Sequence, residues 1–595
     1  MPFRLPEPLD TLDDYQLAIL EPIAEQVTIP RDTCIFEIDS PGDSCYIIEE
    51  GRIRLEIPPE GSNPDDHENI LKYLEPGEWL GEMALLDHFP RSATAFAHTE
   101  VKARRIDSKD LGQLAREHPK LVGIIYAALG RAASLKLRQM TDRLAGYIFN
   151  QQNPMVDDMV ARAQTAQAEF AGWDEARVER LLKDLAEAVN DHAPELARLN
   201  VEETGIGKVS SKLEKIEVGS LGVYNTLAGQ VAAGHFADEA NGTVLDLAAA
   251  LGVVFGLVPV TNPVSTFIFK VLICLKGRNA LILSVSRRAL QTATRTGEII
   301  QDVLKAHDAP LDIAQWIQKN NSRKTTADFM AHPGVSFILA TGGPSMVKAA
   351  YSSGTPSIGV GAGNAPALVC SDADVSAAAQ RIMESKTFDN GVVCCSEHNI
   401  VVVEAVREEF LTALEDLGAA VLMPDEIPGF TAKTVEAVKN HFIPEIIGKS
   451  AAEIAKLAGI QRDRSIRLII VPVDQVDSED VYSQEKLAPV LSLFTASEEK
   501  EGIEICRRLL EIDGSGHTAI IHTRDNALAE QFGLAMPASR ILVNAPGVQG
   551  GIGAVTGLMP SLTLGCGTFG GNSTTDNVTY KHLINVKRLA YYTPK

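Results

Sequence analysis

The sequence predicts a multidomain chain: an N-terminal β-roll with flanking helices, then a larger α/β region made of doubly wound units. Three observations carry this expectation. The chain has 595 residues, too many for one hydrophobic core, so roughly three or four domain-sized units are expected. Its opening stretch reads as short strands punctuated by turn residues. Beyond Met155 apolar strands alternate with helical periodicity, the pattern of a parallel sheet covered by helices.

The elements follow in order. Cys45 to Glu50, the turn at Gly51, Arg52 to Ile57 and Val101 to Ile106 are the strands of the roll, and Pro58 to Asp66 is a polar, breaker-rich loop between two of them. From Ser108 to about Asn150 the pattern turns helical, with Leu121, Ile125, Ala128, Leu129, Ala132 and Leu135 at three- and four-residue spacing. Asn150-Gln151-Gln152-Asn153-Pro154 breaks it and marks the clearest domain boundary. Two long helical stretches then run to about Asn200. Strands follow at Val253–Val260, Ala280–Val285, Phe337–Ala340, Ser357–Val360, Ala367–Val369 and Ile400–Val403. There is no internal repeat and no low-complexity tract.

Composition narrows the function classes. With 45% hydrophobic and 22% charged residues the chain is an ordinary globular protein, and its net charge of -23 disfavours a nucleic-acid or anionic-membrane surface. Its eight cysteines show no C-x-x-C spacing, which fits reduced thiols in a cytoplasm better than a disulfide framework or a metal site. The N-terminus is acidic and lacks an apolar signal core. The longest apolar run, Val244 to Val260, is interrupted by Asp246 and is short for a membrane span. A cytoplasmic protein with no membrane and no nucleic-acid partner is therefore expected.

Within the β region, Gly81-Glu82-Met83-Ala84-Leu85-Leu86-Asp87 leads into Arg91-Ser92-Ala93. A Gly and a short helix offer free backbone N–H groups to an anion, Arg91 can neutralise a phosphate and Glu82 can accept a ribose hydroxyl. Taken alone, such a Glu and Arg are more often a surface ion pair. The whole string, with Asp39 to Gly51 before it, resembles the phosphate-binding cassette of cyclic-nucleotide-binding domains, over about residues 15 to 135. The resemblance implies that Glu82 binds the ribose 2'-hydroxyl, Arg91 the cyclic phosphate, and Gly81, Ser92 and Ala93 complete the cradle. cAMP and cGMP both stay open, as does a ligand-free domain used only for packing. No helix-turn-helix pattern follows, which weakens a transcription-factor reading.

The second half carries a cysteine pair, Cys394-Cys395, in a Gly-softened loop ahead of an apolar strand. A thiol there can become a thiolate, attack a carbonyl and carry the product as a thioester; two small core residues are the plain alternative. Three backbone-exposing loops precede it: Val260 to Thr266, where the Asn262 amide can point at an oxyanion; Ala340 to Ser345, opening a helix after a strand; and Gly359 to Pro366. With Glu485 to Val490, Gly516-His517-Thr518, Gln549 to Gly553, Pro560 to Gly567 and Gly570 to Asn572 they resemble the aldehyde dehydrogenase superfamily, in its coenzyme A-acylating branch, over about residues 155 to 595. The likeness is to the aldehyde-dehydrogenase half of bifunctional aldehyde/alcohol dehydrogenases and to acylating acetaldehyde, sulfoacetaldehyde and succinate-semialdehyde dehydrogenases. The iron-dependent alcohol-dehydrogenase half does not follow in this sequence, so reduction to the alcohol is not expected of it.

The resemblance implies Cys394 as nucleophile, and Asn262 with the Cys394 backbone N–H as oxyanion hole. It further implies a nicotinamide site formed by Thr341, Gly342, Gly343, Gly361, Gly363, Ser284 and Glu485, the last holding the nicotinamide ribose. Hydrolytic relatives carry a Glu in the loop matching Val360 to Asn364; this sequence has no carboxylate there, so a thiol takes the place of water. The implied cycle oxidises the Cys394 adduct of a small aldehyde and hands the acyl group to coenzyme A. Ser284 stands where many hydrolytic members carry a Lys for the adenosine ribose; NAD is preferred, with NADP open, because Arg287-Arg288 read slightly more as a solvated helix start than as a 2'-phosphate site. Arg287-Arg288 nearby are either a phosphate site or a solvated helix start. His517 is a candidate base for coenzyme A, with a structural His as the alternative. Cys395 is expected to face away from Cys394, as alternate residues of a strand do. The implied domains are a cyclic-nucleotide-binding domain at 12–135, a helical linker at 136–154, a nicotinamide cofactor-binding domain at 155–364, a catalytic domain at 365–560 and a C-terminal oligomerisation segment at 561–595, in a homo-oligomer, dimer or tetramer. A hydrolytic dehydrogenase, or a cyclic-nucleotide signalling protein on a non-catalytic scaffold, are the alternatives.

Overall fold

A computed structural model describes residues 13–38, 40–56, 70–87, 90–127, 129–130, 133–134, 153–239, 243–436 and 441–593. The chain divides into two units, Met1–Gln151 and Gln152–Lys595.

The first unit is built from two four-stranded antiparallel sheets. One is ordered Ala24–Ile29, Val101–Asp107, Ser44–Glu50, Trp79–Leu80; the other Cys34–Phe36, Thr94–Ala97, Ile53–Glu56, Ile70–Leu74. Side chains alternate across a strand, and Ser44–Glu50 is apolar on both faces for that reason. Tyr46 and Ile48 pack with Ile53, Leu74, Ala95 and Val101. Cys45 and Ile47 face the other way, onto Trp79, Leu111, Leu114 and Ile125. The helical stretch expected from Ser108 is interrupted. The helix Ser108–Glu117 stops at His118, and helix resumes from Pro119, whose ring cannot sit inside a helix and restricts the residue before it. The Pro58 to Asp66 loop and most of the 136–154 linker lie outside the described residues.

In the second unit the two expected helical stretches are three helices, Pro154–Phe170, Glu175–Asp191 and Ala193–Thr204, because Pro194 starts a new helix just past His192. A five-stranded parallel sheet follows, ordered Ala314–Trp316, Ala280–Val285, Val253–Val258, Phe337–Thr341, Ser357–Val360. Every residue of Val253–Val258 and Ala280–Val285 is buried, the signature of strands covered on both faces. The helix Pro263–Lys276 is buried along its whole length. Phe255, Phe267, Phe269 and Phe329 are fully enclosed, each stabilising the fold by about 1.5–3 kcal/mol. Lys270 in that helix donates Nζ to the carbonyls of Leu257 and Leu339, tying the ends of two neighbouring strands. Burial pulls its pKa down to about 7.

A seven-stranded parallel sheet is ordered Ala419–Val421, Leu468–Pro472, Val490–Ala496, Glu397–Val403, Ala365–Val369, Gly516–His522, Ala538–Val543. The apolar run Val244 to Val260 is two strands, not a helix. Val244–Ala250 pairs with Ile584–Ala590 and Gly234–Glu239 in an antiparallel sheet, and the buried Asp246 meets Arg588 at 3.5 Å. Among the described residues no helix is long and apolar enough to cross a membrane, and no group of three or more His, Cys, Asp or Glu could hold a metal ion.

Parallel strands put their carboxyl ends on one edge, where ligand crevices form. The loops after Val253–Val258, Phe337–Thr341 and Ser357–Val360 therefore lie side by side. Only Gly361 to Asn364 separate Ser357–Val360 from Ala365–Val369 in the centre of the second sheet. That short link sets the carboxyl edge of one sheet against the amino edge of the other, from which Cys394, Glu485 and His517 come.

Candidate active site

Cys394 follows a reversal made of three consecutive residues with positive φ: Asp389 (48°), Asn390 (53°) and Gly391 (76°). Left-handed non-glycine residues cost on the order of 1–3 kcal/mol each, and buried hydrogen bonds offset this. Asp389 is 0% exposed. Its Oδ1 accepts from the Lys208 backbone N–H at 2.9 Å, and its Oδ2 from Lys212 Nζ at 2.7 Å and from Lys215 Nζ. Asn390 Nδ2 donates to the Gly448 carbonyl at 2.8 Å. The chain then turns, with the Ser396 N–H on the Val393 carbonyl at 3.0 Å.

Cys394 and Cys395 thus sit in a turn and not in an extended strand, so alternation does not separate them. The extended segment expected there is corrected, and with it the reason for Cys395 to face away; only Cys394 lines the cleft that holds Asn262. Cys395 is fully buried with Val548, Ile552 and Leu564. Its contact, followed by burial, pushes the Cys394 thiol up to about 12, while His517 pulls it down. His517 is itself buried; Nδ1 meets Thr518 Oγ1 at 3.0 Å, and Nε2 is enclosed without a hydrogen-bond partner of its own.

Asn262 occupies the cap position of the helix Pro263–Lys276, yet its side chain makes no capping hydrogen bond. Its Oδ1 accepts from Lys215 Nζ at 2.7 Å, and its Nδ2 donates to Thr261 Oγ1 at 3.2 Å. Asn262 and Cys394 line one cleft of about 330 Å³ with Thr341, Gly342, Gly343, Gly361 and Glu485. Gly363 lies directly behind: its N–H donates to Glu485 Oε1 at 2.8 Å, and a Cβ on it would stand 1.9 Å from the Cys394 carbonyl oxygen. Burial pushes Glu485 up to about 8 against that N–H. Ser284 stands apart from this cleft, its Oγ 3.2 Å from Asn321 Oδ1 and 3.2 Å from Thr326 Oγ1. Asn364 is committed to the fold, donating to the Ser483 and Leu509 carbonyls.

The glycine turn leaves room for a ligand beside the backbone. A Cβ on Gly343 or on Gly361 would meet nothing within 4 Å, and one on Gly342 would only graze the Met346 side chain at 3.9 Å. The turn therefore leaves open space in front of the helix Pro344–Ser352, where a phosphate-bearing ligand approaches backbone closely.

In the first unit Gly81 has φ +80°, and a Cβ there would stand 2.4 Å from Arg91 Nη1. Arg91 is buried. It donates to the Ser44 carbonyl at 2.8 Å, Ser44 Oγ at 3.2 Å and the Gly81 carbonyl at 3.3 Å, and stacks 4.1 Å from the Phe36 ring centroid. Asp43 Oδ1 stands 3.8 Å from its Nη2 and is largely exposed, and its Nε is buried without a hydrogen-bond partner. Glu82, also buried, opens the short helix Glu82–Asp87; Ser92 is exposed and Ala93 buried.

Residues 136–581 match the model of the aldehyde dehydrogenase family, and residues 26–118 that of the cyclic nucleotide-binding domain. The chain belongs to the aldehyde dehydrogenase family. It is 40% identical over 444 residues to the bifunctional aldehyde-alcohol dehydrogenase of Escherichia coli, a match covering 73% of this chain and 49% of that protein. It is 35% identical to the sulfoacetaldehyde dehydrogenase of Acholeplasma sp, over 74% of this chain and 92% of that one. An acetylating aldehyde dehydrogenase structure from Geobacillus thermoglucosidasius superposes with a TM-score of 0.72 at 36% identity, covering 74% of this chain and 97% of that chain. The chain spans about half the length of the bifunctional relatives it matches.

In this aldehyde dehydrogenase a second cleft of about 480 Å³ shares Gly361 and Ala362 with the first and is lined by Lys348, Tyr351, Glu511, Asp513 and Phe569. The glycine loop is thus the partition between two openings. Lys212, Lys215 and Asp389 carry no sequence motif that marks them as part of a site. A charged pair three apart on one helix face reads as solvated. The one available signal was Asp389-Asn390-Gly391, a triplet suited to positive φ.

Proposed function

We propose that this family member is an acylating aldehyde dehydrogenase that converts a small aldehyde, coenzyme A and a nicotinamide cofactor to acyl-CoA through a Cys394 thioester. The supporting observation is a cysteine cleft whose partition, Val360 to Asn364, carries no carboxylate. His517 takes the Cys394 proton, and the thiolate adds to the aldehyde carbonyl carbon. The Asn262 amide and the Cys394 backbone N–H donate to the oxygen as it gains charge. A nicotinamide cofactor, when bound through Thr341, Gly342, Gly343 and Glu485, supplies the two-electron acceptor, NAD in preference to NADP. His517 releases the first proton to solvent; coenzyme A then brings its thiol to the acyl-enzyme, His517 accepts that proton, the new C–S bond forms, and the departing Cys394 thiolate regains a proton from His517. One thioester replaces another, so the direction follows metabolite levels.

The substrate is acetaldehyde or a small substituted aldehyde, carboxylated or sulfonated ones such as sulfoacetaldehyde included. Steady-state turnover with and without coenzyme A, across a panel of such aldehydes, tests the reading. Product formation is expected only with the thiol present; sustained release of free acid without it makes the enzyme hydrolytic.

The same reading makes the first unit a cyclic-nucleotide sensor, with Arg91 on the phosphate and Glu82 on the ribose, in a homo-oligomer joined through the C-terminal strand. Its support is the buried Arg91 guanidinium held at the Gly81 and Ser44 carbonyls, inside the stretch that matches the cyclic nucleotide-binding domain. Calorimetry and activity titrations with cAMP and cGMP are expected to show saturable binding and a parallel change in rate. Binding with a flat rate removes regulation.

A further inference from the structure

We propose that Lys215 is a positioning residue of the oxyanion site: its ammonium holds the Asn262 carbonyl oxygen and so aims the amide N–H2 into the Cys394 cleft. The inference rests on the acyl-transfer reading above. A Lys ammonium only donates hydrogen bonds, so the Asn262 atom 2.7 Å from Nζ is the oxygen, and the NH2 must turn the other way. One of its two hydrogens goes to Thr261 Oγ1. The other is left for a ligand in the cleft that Asn262 shares with Cys394. An Asn at a helix cap ordinarily bonds the first amides of its helix. Here that bond is absent and Lys215 holds the side chain instead.

The clamp is built into the fold. Lys215 and Lys212 are one helical turn apart on Val209–Glu217, 4% and 3% exposed, and both reach Asp389 Oδ2. Lys212 also donates to the Thr261 carbonyl. The Phe388 ring centroid is 5.6 Å from Lys215 Nζ. One carboxylate, five residues ahead of the nucleophile, thus anchors both the asparagine loop and the cysteine loop. The next turn, Val218–Gly222, is a π-helix, a form often found at functional sites. A Cβ on its Gly219 would stand 2.8 Å from the Ser265 carbonyl oxygen, so this helix is seated tightly against the start of Pro263–Lys276. The Lys215 hydrogen bond to the Asn262 oxygen polarises the amide and strengthens its N–H as a donor.

A double-mutant cycle in the full chain tests this, with Lys215→Met, Asn262→Ala and the pair, reading kcat and KM for aldehyde oxidation and following melting of each variant. Lys215→Met is expected to lower kcat by about 10- to 100-fold, with KM changed less than about threefold. On the Asn262→Ala background the same substitution is expected to change kcat by less than about threefold, because its route to the oxyanion is gone. Lys215→Gln, an uncharged donor, is expected to recover part of the loss; if Lys215→Met does not fold, this variant in both backgrounds carries the cycle. Losses that multiply, or an unaltered kcat in the Lys215 variants, overturn the proposal. A large Asn262 effect alongside either result leaves the acyl-transfer reading standing, whereas an Asn262→Ala enzyme with full activity overturns that reading itself.

Discussion

Cys394→Ala is expected to lower aldehyde oxidation by at least about 10⁴-fold, as removal of a nucleophile does, while Cys395→Ala keeps turnover. The two substitutions separate the neighbours, because both thiols are in one turn and only Cys394 lines the cleft. Cys395→Ala also moves the pH profile, with a defined sign. The Cys395 contact is the largest influence raising the Cys394 thiol, ahead of burial, and His517 opposes both. Removing Cys395 lowers the Cys394 pKa, so thiolate forms at lower pH and the rising limb of kcat/KM shifts toward acid. His517→Ala removes the opposing influence, and the same limb shifts toward alkali. Both profiles unmoved, or full activity in Cys394→Ala, places the chemistry elsewhere.

Asn262→Ala is expected to lower kcat by about 10²- to 10³-fold, the loss seen when one oxyanion-hole donor is removed, or about 2.7–4 kcal/mol of transition-state stabilisation. The effect falls on kcat because the amide meets an oxygen that gains charge only as the thiolate adds. Folding is expected to be intact: the Asn262 side chain does not cap its helix, and Asp389 keeps both lysine partners without it. A rise in KM with kcat unchanged would make Asn262 a ground-state binding residue.

The parallel sheets were legible where mainly aliphatic runs adjoin turn residues, as at Ala280–Val285 after Gly277 to Asn279 and at Ser357–Val360 between Pro356 and Gly361. Leu468–Pro472 is as apolar, yet no chemistry-bearing loop adjoins it to mark it as a strand of the same sheet. Helix ends were read too long where one proline decides, at Pro119 and Pro194. Cys394, Asn262, Glu485 and the glycine turns were legible as motifs because each lies in a loop next to a strand; parallel topology gathers each set at one edge of its own sheet, and the short Gly361 to Asn364 link sets those two edges together. Ser284 is also at a strand end, yet its hydroxyl is taken up by Asn321 and Thr326. The Lys215 clamp was not legible. Its partners are far apart in sequence, and an amphipathic helix gives no sign that its lysines turn inward to a carboxylate. Nor was the contact between the two thiols, which depends on the turn after three left-handed residues.

The central claim is a Cys394 thioester that passes its acyl group to a thiol and not to water. Mixing the enzyme with acyl-CoA in the absence of reduced cofactor, then following the intact mass and the tryptic peptide Thr387–Arg407 by mass spectrometry, reads that step directly. The expected result is an acyl adduct on Cys394 that free coenzyme A discharges rapidly and water only slowly. No adduct, an adduct on another residue, or discharge by water as fast as by coenzyme A would contradict it.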